Sequence, residues 1–341
     1  MSGPQPSQPR TVAWLPVAAA AVALVLVVLL VAGVLAHLGT RASRDEKAGG
    51  LGEEFAYELD ELAAVDPKHV SHEQTATLEL ALAEARGLAV GPQDRIYVAG
   101  DSTIAVFGKE GARQSEIALG GQPRAVAVAP DGTLYVAMED RVEVYSPKGT
   151  RQASWPSLGD KALLTALAVA GGDVFAADAG NRVVVRYDTQ GKLLGRIGRR
   201  DRERNIPGIL VPSPYFDVAV GTEGLLWVTN PGRRRMEAYT FDGDLEVSWG
   251  TSSFAIDGFC GCCNPTHFAL FRDGRVVTSE KGLPRVKLYD EAGRFKSVVA
   301  APKSFDIEAR GLDLGVDSAE RVLVLDPSAS QVRIFTRKAA E

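Results

Sequence analysis

Apolar and polar residues alternate from about Thr75 onward, in short runs that are separated by turns. Three such runs form a unit with Asp-Gly or a substitute in its first turn and an aromatic residue at its end, as in "AVAVAPDGTLYVAMEDRVEVY". Successive side chains of a strand point to opposite faces, so alternation with a period of two indicates half-buried β-strands. The pattern predicts an all-β domain built from repeated three-strand units.

The unit recurs six times, and its middle strands are separated by 38, 40, 52, 50 and 46 residues. Repeats of this length, each with several antiparallel strands, are typical of β-propeller blades. The aligned positions of the middle strands are Val98, Val136, Ala176, Val228, Thr278 and Val324. The sequence therefore predicts a six-bladed β-propeller over residues 73–337.

A fourth, outer strand fits after five of the six copies, and the sixth copy lacks one. The segment from Glu73 to Leu82 precedes the first copy and has the alternation of a strand. If it joins the last copy, the two ends of the domain pair with each other and no sheet edge is left open. We expect the ring to close in this way.

The third copy and the turn after it read "VFAADAGNRVVVRYDTQGKLLGRIG". This segment resembles an NHL repeat, and six NHL repeats imply a six-bladed propeller. The segments "RNIPGILVPSPYFDVAV", "GFCGCCNPTHFAL" and "SEKGLPRVKLYDEAGRF" further resemble an uncharacterised group of membrane-anchored bacterial NHL-repeat proteins. The resemblance implies a fold and brings no established reaction.

The N-terminal region departs from the alternating pattern. Val12 to Leu35 contains 24 residues without a charge, and a helix of that length rises roughly 36 Å, enough to cross a hydrocarbon core of about 30 Å. The sequence predicts a tail (residues 1–11), an uncleaved transmembrane anchor (residues 12–38), and a linker with a short amphipathic stalk helix (residues 39–72).

The orientation of the predicted span rests on two opposing arguments. Arg41, Arg44 and Lys47 follow it, whereas only Arg10 precedes it, and a literal count of positive charges would place the large domain in the cytoplasm. That rule weakens when a long folded domain follows the span. We expect a single-pass cell-membrane protein whose propeller is extracytoplasmic, in the periplasm.

Charge and motifs narrow the functional classes. A formal net charge of −5 provides no basic surface for nucleic acid. The chain has no Gly-rich phosphate loop and no nucleophile elbow, and His267 is the only one of its four histidines within the predicted blades. These features favour a binding protein over an enzyme.

The three cysteines lie within four positions, in "GFCGCCNPTHF". Cys260, Cys262 and Cys263, with His267, offer three sulfurs and one nitrogen, a set suited to Zn²⁺ or Cu(I). An oxidising compartment would instead favour a disulfide, such as Cys260 with Cys263, that leaves one thiol over. Thiol redox chemistry is the third alternative.

Two other uses of these cysteines are excluded by the residues present. Covalent haem attachment needs Cys-x-x-Cys-His, and here Asn264 stands in place of the histidine. An iron–sulfur cluster normally requires four cysteines, and the chain has three.

A second candidate site follows from the turns after the middle strands. Asp178, Asn230, Glu280 and Asp326 occupy comparable positions there, and such turns approach one face of a propeller. Arg285 adds a cation beside Glu280. These side chains either bind a ligand at that face or cap the amides of their own turns.

We expect a membrane-anchored propeller that binds a protein partner or a small ligand on one face and carries a specialised cysteine loop. The competing hypothesis is a metal-dependent or thiol-dependent redox or electron-transfer accessory protein. A third hypothesis is a lactonase-like hydrolase, with Glu280 and Asp326 jointly holding Ca²⁺.

Overall fold

The computed structural model describes residues 63–261 and 263–339. In this part of the chain, 24 strands form six antiparallel sheets of four strands each. Strand β1 (His72–Glu79) comes first in the sequence and belongs to the last sheet. The six sheets are the blades of a propeller, as the repeat pattern predicts.

The first three blades follow the chain without interruption, each from its innermost to its outermost strand. Blade 1 comprises β2 (Ala85–Val90), β3 (Ile96–Gly100), β4 (Thr103–Phe107) and β5 (Arg113–Ala118). Blade 2 comprises β6 (Ala125–Val128), β7 (Leu134–Ala137), β8 (Val142–Tyr145) and β9 (Arg151–Ser154). Blade 3 comprises β10 (Leu164–Ala170), β11 (Asp173–Asp178), β12 (Val183–Asp188) and β13 (Leu193–Ile197).

The other three blades have longer connections between them. Blade 4 comprises β14 (Val218–Val220), β15 (Leu226–Asn230), β16 (Arg235–Tyr239) and β17 (Leu245–Trp249). Blade 5 comprises β18 (His267–Leu270), β19 (Val276–Glu280), β20 (Arg285–Tyr289) and β21 (Phe295–Ala300). Blade 6 comprises β22 (Leu314–Val316), β23 (Val322–Asp326), β24 (Gln331–Arg337) and β1. Short 3-10 helices occupy Pro67–His69, Pro92–Asp94, Pro231–Arg233 and Pro302–Ser304.

Strand β1 closes the ring from the N-terminal side. It pairs antiparallel with β24, with Leu78 opposite Val332 and Glu79 opposite Gln331. The strand predicted from Glu73 to Leu82 therefore supplies the missing outer strand of blade 6, and the predicted closure is confirmed. The bounds of the strand differ from the prediction, because β1 runs over His72–Glu79. Its first residue, His72, belongs to the linker in the sequence analysis.

Hydrophobic side chains pack between neighbouring blades. Six apolar clusters are buried, one between each pair of adjacent blades, including the pair formed by blades 6 and 1. Both faces of the second strands are covered in this arrangement, which explains why β3, β15, β19 and β23 are buried over their whole length. The core is a ring around an axial channel.

Several predictions fall on other parts of the chain. The tail (residues 1–11), the anchor (residues 12–38), most of the linker and stalk (residues 39–62) and Cys262 lie outside the described residues. No helix within residues 63–261 and 263–339 is long and apolar enough to cross a membrane. The anchor, its orientation and the stalk helix remain predictions from the sequence.

Candidate functional site

The cysteine loop lies between β17 and β18 and is fixed by polar contacts to blade 5. The side-chain amide of Asn264 donates to the carbonyl oxygens of Cys260 (2.7 Å) and Lys281 (2.9 Å). Gly261 has a φ of 71°, a left-handed conformation that favours glycine. Cys260 and Cys263 are 5% and 3% exposed. The loop is a packed element with buried sulfurs.

Beneath the loop lies a buried set of charges, here called the loop cluster: Glu280, Arg285 and Lys287. The carboxylate of Glu280 is ion-paired with the guanidinium of Arg285 and lies 3.2 Å from the Lys287 ammonium. Lys287 also donates to the carbonyl oxygen of Gly258 at 2.6 Å. Burial lowers the pKa of Lys287 to about 8, although Glu280 opposes this shift. Burial also raises the pKa of the Cys260 thiol, with Glu280 nearby as the second cause.

The predicted turn residues occupy equivalent places, at the ends of the second strands of blades 3 to 6. Asp178, Asn230 and Asp326 are each no more than 1% exposed. Asp178 accepts hydrogen bonds from the amide of Asn181 in its own turn and from that of Leu163, directly before β10. Asn230 donates to Glu237 at 3.0 Å, and Asp326 pairs with Arg333 at 2.8 Å. These contacts stay within single blades and the segments that lead into them. Ligand binding by these residues, and by Glu280 and Arg285, remains a prediction, and the described contacts give all five a structural role.

The innermost strands of all six blades enclose a channel with a cavity of about 270 Å³. Three ionisable side chains line it, here called the channel cluster: Asp217, His267 and Asp313. Asp217 and Asp313 stand directly before β14 and β22, and His267 is the first residue of β18. Blades 4, 5 and 6 thus each contribute one titratable group to the axis.

The two carboxyl groups of the channel cluster link neighbouring blades. Asp217 accepts hydrogen bonds from the amides of Val218 (2.8 Å) and of Phe268 in blade 5 (2.9 Å). Asp313 accepts from Leu314 and from Leu88 in blade 1, both at 2.7 Å. These bonds favour the charged form, but burial opposes it more strongly.

The pKa values of the channel cluster reflect burial. Burial raises the pKa of Asp313 to about 7. Burial, together with the carboxylate of Asp313, raises the pKa of Asp217 well above its usual range. Burial lowers the pKa of His267 to about 4, so its imidazole is neutral at pH 7. The surroundings therefore disfavour charge on all three groups.

A second cavity of about 230 Å³ shares Thr165 and His267 with the channel cavity and forms its mouth. Three arginines line this mouth, here called the rim arginines: Arg86, Arg124 and Arg310. Their side chains are 31%, 27% and 65% exposed, in that order. Burial lowers the pKa of Arg124, partly opposed by Glu139, and the charge of Arg86 adds to the lowering.

The partners of the rim arginines are carboxylates that face solvent. Glu84, Glu139 and Glu308 have side chains that are 56%, 72% and 76% exposed. The Arg124 to Glu139 distance is 3.7 Å, longer than a hydrogen bond. Exposed ion pairs of this kind are worth about 0–1 kcal/mol. An incoming anion can therefore compete for these arginines at little cost.

The described contacts of His267 and of Cys260 involve different partners. The His267 ring lines the channel and packs edge-on against Tyr215, with 5.7 Å between ring centroids, whereas the amide of Cys260 faces Glu280. Within residues 63–261 and 263–339, no group of three or more His, Cys, Asp or Glu side chains is placed to hold a metal ion. Because Cys262 lies outside this part, a metal, a disulfide or a redox role for the loop remains a prediction.

Sequence reasoning missed Asp217, Asp313 and the rim arginines. A signal for the two aspartates was present, since the inner strands of blades 1 to 3 have Gly87, Ala125 and Ala166 at the equivalent position. Alternation explains small residues there, but it does not explain two carboxyl groups and an imidazole in the other three blades. Arg86 and Arg124 directly precede this position in blades 1 and 2, whereas Arg310 has no such signal, because it comes from an irregular segment.

No family model matches the chain, and no curated protein matches it. Among solved structures, a catalytically inactive variant of virginiamycin B lyase from Staphylococcus aureus, with quinupristin, is 11% identical with a TM-score of 0.54, covering 76% of this chain and 82% of that one. A streptogramin B lyase is 10% identical with a TM-score of 0.56, covering 79% and 98%. A Bacteroides thetaiotaomicron VPI-5482 protein of unknown function is 13% identical with a TM-score of 0.55, covering 78% and 72%. At these identities the similarity establishes the propeller fold alone.

Proposed function

We propose that this protein is a ligand-binding propeller that captures a small anionic molecule at the mouth of its central channel, and that residues 12–38 hold it in the membrane with the propeller in the periplasm. The observation that carries the binding role is the convergence of Arg86, Arg124 and Arg310 on one cavity. The anchor and its orientation rest on the uncharged segment of the sequence.

The chemistry of the mouth supports an oxyanion as the ligand. A guanidinium presents several N–H donors in a planar fork that matches carboxylate and phosphate oxygens. Arg86 and Arg124 are partly buried, so their charges are less screened than those of fully exposed side chains. The Tyr215 ring borders the same cavity and supplies a flat apolar surface, whereas the Thr165 hydroxyl donates to the carbonyl oxygen of Phe216 at 2.6 Å.

The described contacts support binding rather than the hydrolase alternative. Glu280 is ion-paired with Arg285 and Lys287, and Asp326 with Arg333, in different blades. Two carboxylates that are each neutralised in this way do not offer a shared Ca²⁺ site. A propeller of this architecture does hold a ligand elsewhere, since the virginiamycin B lyase structure contains quinupristin.

The experiment measures the thermal stability of the full-length protein, purified in detergent, in phosphate, sulfate and acetate against chloride at equal ionic strength. We expect the oxyanions to raise the melting temperature of the wild type. The double variant Arg86→Gln, Arg124→Gln loses this increase, because a hydrogen bond to a charged group contributes about 1.5–3 kcal/mol.

Arg113→Gln is the matched control, since Arg113 forms an ion pair with Glu116 on the outer strand of blade 1. It removes one positive charge and leaves the mouth intact. An equal oxyanion effect in the wild type and the double variant, or no effect in either, would contradict the proposed function.

A further inference from the structure

The channel cluster contains more hydrogen-bond acceptors than the fold uses. Each ionised carboxylate has about four acceptor sites, and Asp217 and Asp313 each receive two backbone amides. About half of the acceptor capacity of each carboxylate therefore has no hydrogen bond to the described residues. The hydrogen bonds to backbone amides link the blades, but the fold does not use the remaining acceptor sites of the two carboxylates.

His267 is the second, independent observation. The residue is 8% exposed, and its Nδ1 is buried without a hydrogen-bond partner among the described residues. A buried polar atom in this state costs about 1–3 kcal/mol. Because a neutral imidazole carries one proton, one ring nitrogen is a donor and the other an acceptor. The imidazole lines both the channel cavity and the mouth cavity.

Within the part of the chain that the structure describes, no side-chain cation pairs with the channel cluster. The described ion pairs leave out Asp217 and Asp313, and the rim arginines pair with Glu84, Glu139 and Glu308 instead. Two neighbouring buried carboxyl groups disfavour ionisation, and a cation between them removes that cost. The group that complements them is therefore positively charged and also donates hydrogen bonds.

The number and origin of the acceptors favour a primary ammonium group. It has three N–H donors on one nitrogen, and three consecutive blades each present one acceptor side chain to the channel. A metal ion fits less well, because within the described residues no three His, Cys, Asp or Glu side chains are placed to hold one, and N–H···O hydrogen bonds of about 2.7–3.2 Å reach farther than metal–oxygen bonds of about 2.0–2.6 Å. The space of about 270 Å³ accommodates a small organic group.

We propose that Asp217, His267 and Asp313 form a receptor for a primary ammonium group. Combined with the proposed function, on which this second part rests, the ligand is a small zwitterion. Its amine points into the channel, and its acidic group faces Arg86 and Arg124. In blades 1 and 2, Arg86 and Arg124 directly precede Gly87 and Ala125, which occupy the same repeat position as the residues of the channel cluster. One residue along a strand corresponds to a rise of about 3.3 Å.

The test uses methylammonium chloride as the probe and tetramethylammonium chloride as the matched cation without N–H donors. Both are titrated by calorimetry into full-length protein in detergent at about pH 8, where the carboxyl groups ionise more readily. We expect methylammonium to bind at least about 10-fold more tightly than tetramethylammonium. Equal affinity of the two cations, or no binding of either, would overturn the proposal, and this comparison needs no variant.

Variants locate the site. Asp217→Asn and Asp313→Asn each keep an acceptor oxygen for one of the two backbone amides, and each is expected to weaken methylammonium binding at least about 10-fold. Asp244→Asn is the control, because Asp244 lies in an exposed ion pair with Arg204. Unchanged binding in both channel variants rejects the assignment. Tighter binding of Mg²⁺, Ca²⁺ or Zn²⁺ at the same residues would identify a metal site instead.

The zwitterion is tested with glycine, β-alanine and 4-aminobutyrate. At least one is expected to bind more tightly than methylammonium, and Arg86→Gln with Arg124→Gln removes that gain while methylammonium binding persists. If no member of the series exceeds methylammonium, the amine site stands without the zwitterion, and that part of the proposal is rejected. Methylammonium has no acidic group for the rim arginines to bind. Its affinity is therefore independent of the outcome of the oxyanion experiment.

Discussion

The loop cluster and the channel cluster are both buried groups of ionisable side chains. They differ in how many of their charges and hydrogen-bonding atoms have a partner within the cluster. In the loop cluster, Glu280 lies between two cations, and Lys287 also reaches a carbonyl oxygen. In the channel cluster, two carboxyl groups and a neutral imidazole share a cavity without a bonded cation from the described residues. Burial of charge alone therefore does not mark a binding site, whereas unmet hydrogen-bonding capacity facing a cavity does.

The largest expected effect tests the structural side of this comparison. Glu280→Ala leaves Arg285 and Lys287 buried without their carboxylate, and breaking a buried pair in this way costs about 3–5 kcal/mol of unfolding free energy. Urea unfolding of the full-length protein measures this loss. Glu308→Ala removes an exposed carboxylate and is expected to stay within about 0.5 kcal/mol of the wild type. A similar small change for Glu280→Ala would remove the distinction between the clusters.

The next effect is a pH dependence of the channel cluster. The pKa of Asp313 is raised by burial to about 7, so the stability linked to its proton is fully present below its unfolded pKa of about 3.9 and is lost as the pH rises through about 7. Asp313→Asn removes this dependence. Between about pH 4 and pH 7 the unfolding free energy of the wild type is expected to fall relative to the variant, by about 1.4 kcal/mol per unit of pKa difference.

Other ionisable groups that line the same cavity also contribute to the pH dependence of the unfolding free energy. Asp217 has a raised pKa for the same reason, and the pKa of His267 is lowered to about 4 and acts in the opposite direction. Comparing the variant with the wild type isolates the carboxyl contribution. Parallel curves for the two proteins over this pH range would contradict the buried, unpaired description of Asp313.

A smaller effect is expected for Lys287→Met. This change removes one cation of the loop cluster but leaves Glu280 paired with Arg285, and the long apolar side chain fills similar space against Phe259 and Tyr289. The loss is about 1–2 kcal/mol, mainly the hydrogen bond to Gly258. Chemical unfolding beside Glu280→Ala measures it. A loss equal to that of Glu280→Ala would show that the cluster depends on both cations.

The smallest effect is expected for Cys260→Ala. Removing one buried sulfur costs about 1 kcal/mol, and methylammonium and oxyanion binding should not change, because Cys260 does not line the channel or its mouth. Elemental analysis and thiol counting on the same preparations test the metal and disulfide alternatives. Loss of bound zinc or copper in this variant would favour the metal site predicted for the loop.

The candidate site was only partly predictable. His267 stood out because it is the sole histidine of the six three-strand repeats, but it was assigned to the nearby cysteines. The structure places it at the channel instead, because His267 is the first residue of the innermost strand β18 and its ring lines the axial cavity. The sequence placed Glu280 and Arg285 at a turn on one face of the propeller, and the structure places them under the cysteine loop. Their near-complete burial depends on the loop that covers them, where Cys260 donates to Glu280 and Arg285 donates to Gly258, and a turn sequence does not specify these contacts.

The sequence by itself determined the strands, the six repeats and the closure of the ring, because alternation and turn residues act over a few neighbouring positions. The tertiary structure alone decided what meets at the axis. Asp217, His267 and Asp313 lie at positions separated by one repeat each, and only the circular arrangement of blades brings them to one cavity. Local patterns fix which way a strand faces, whereas a site depends on which distant strands face one another.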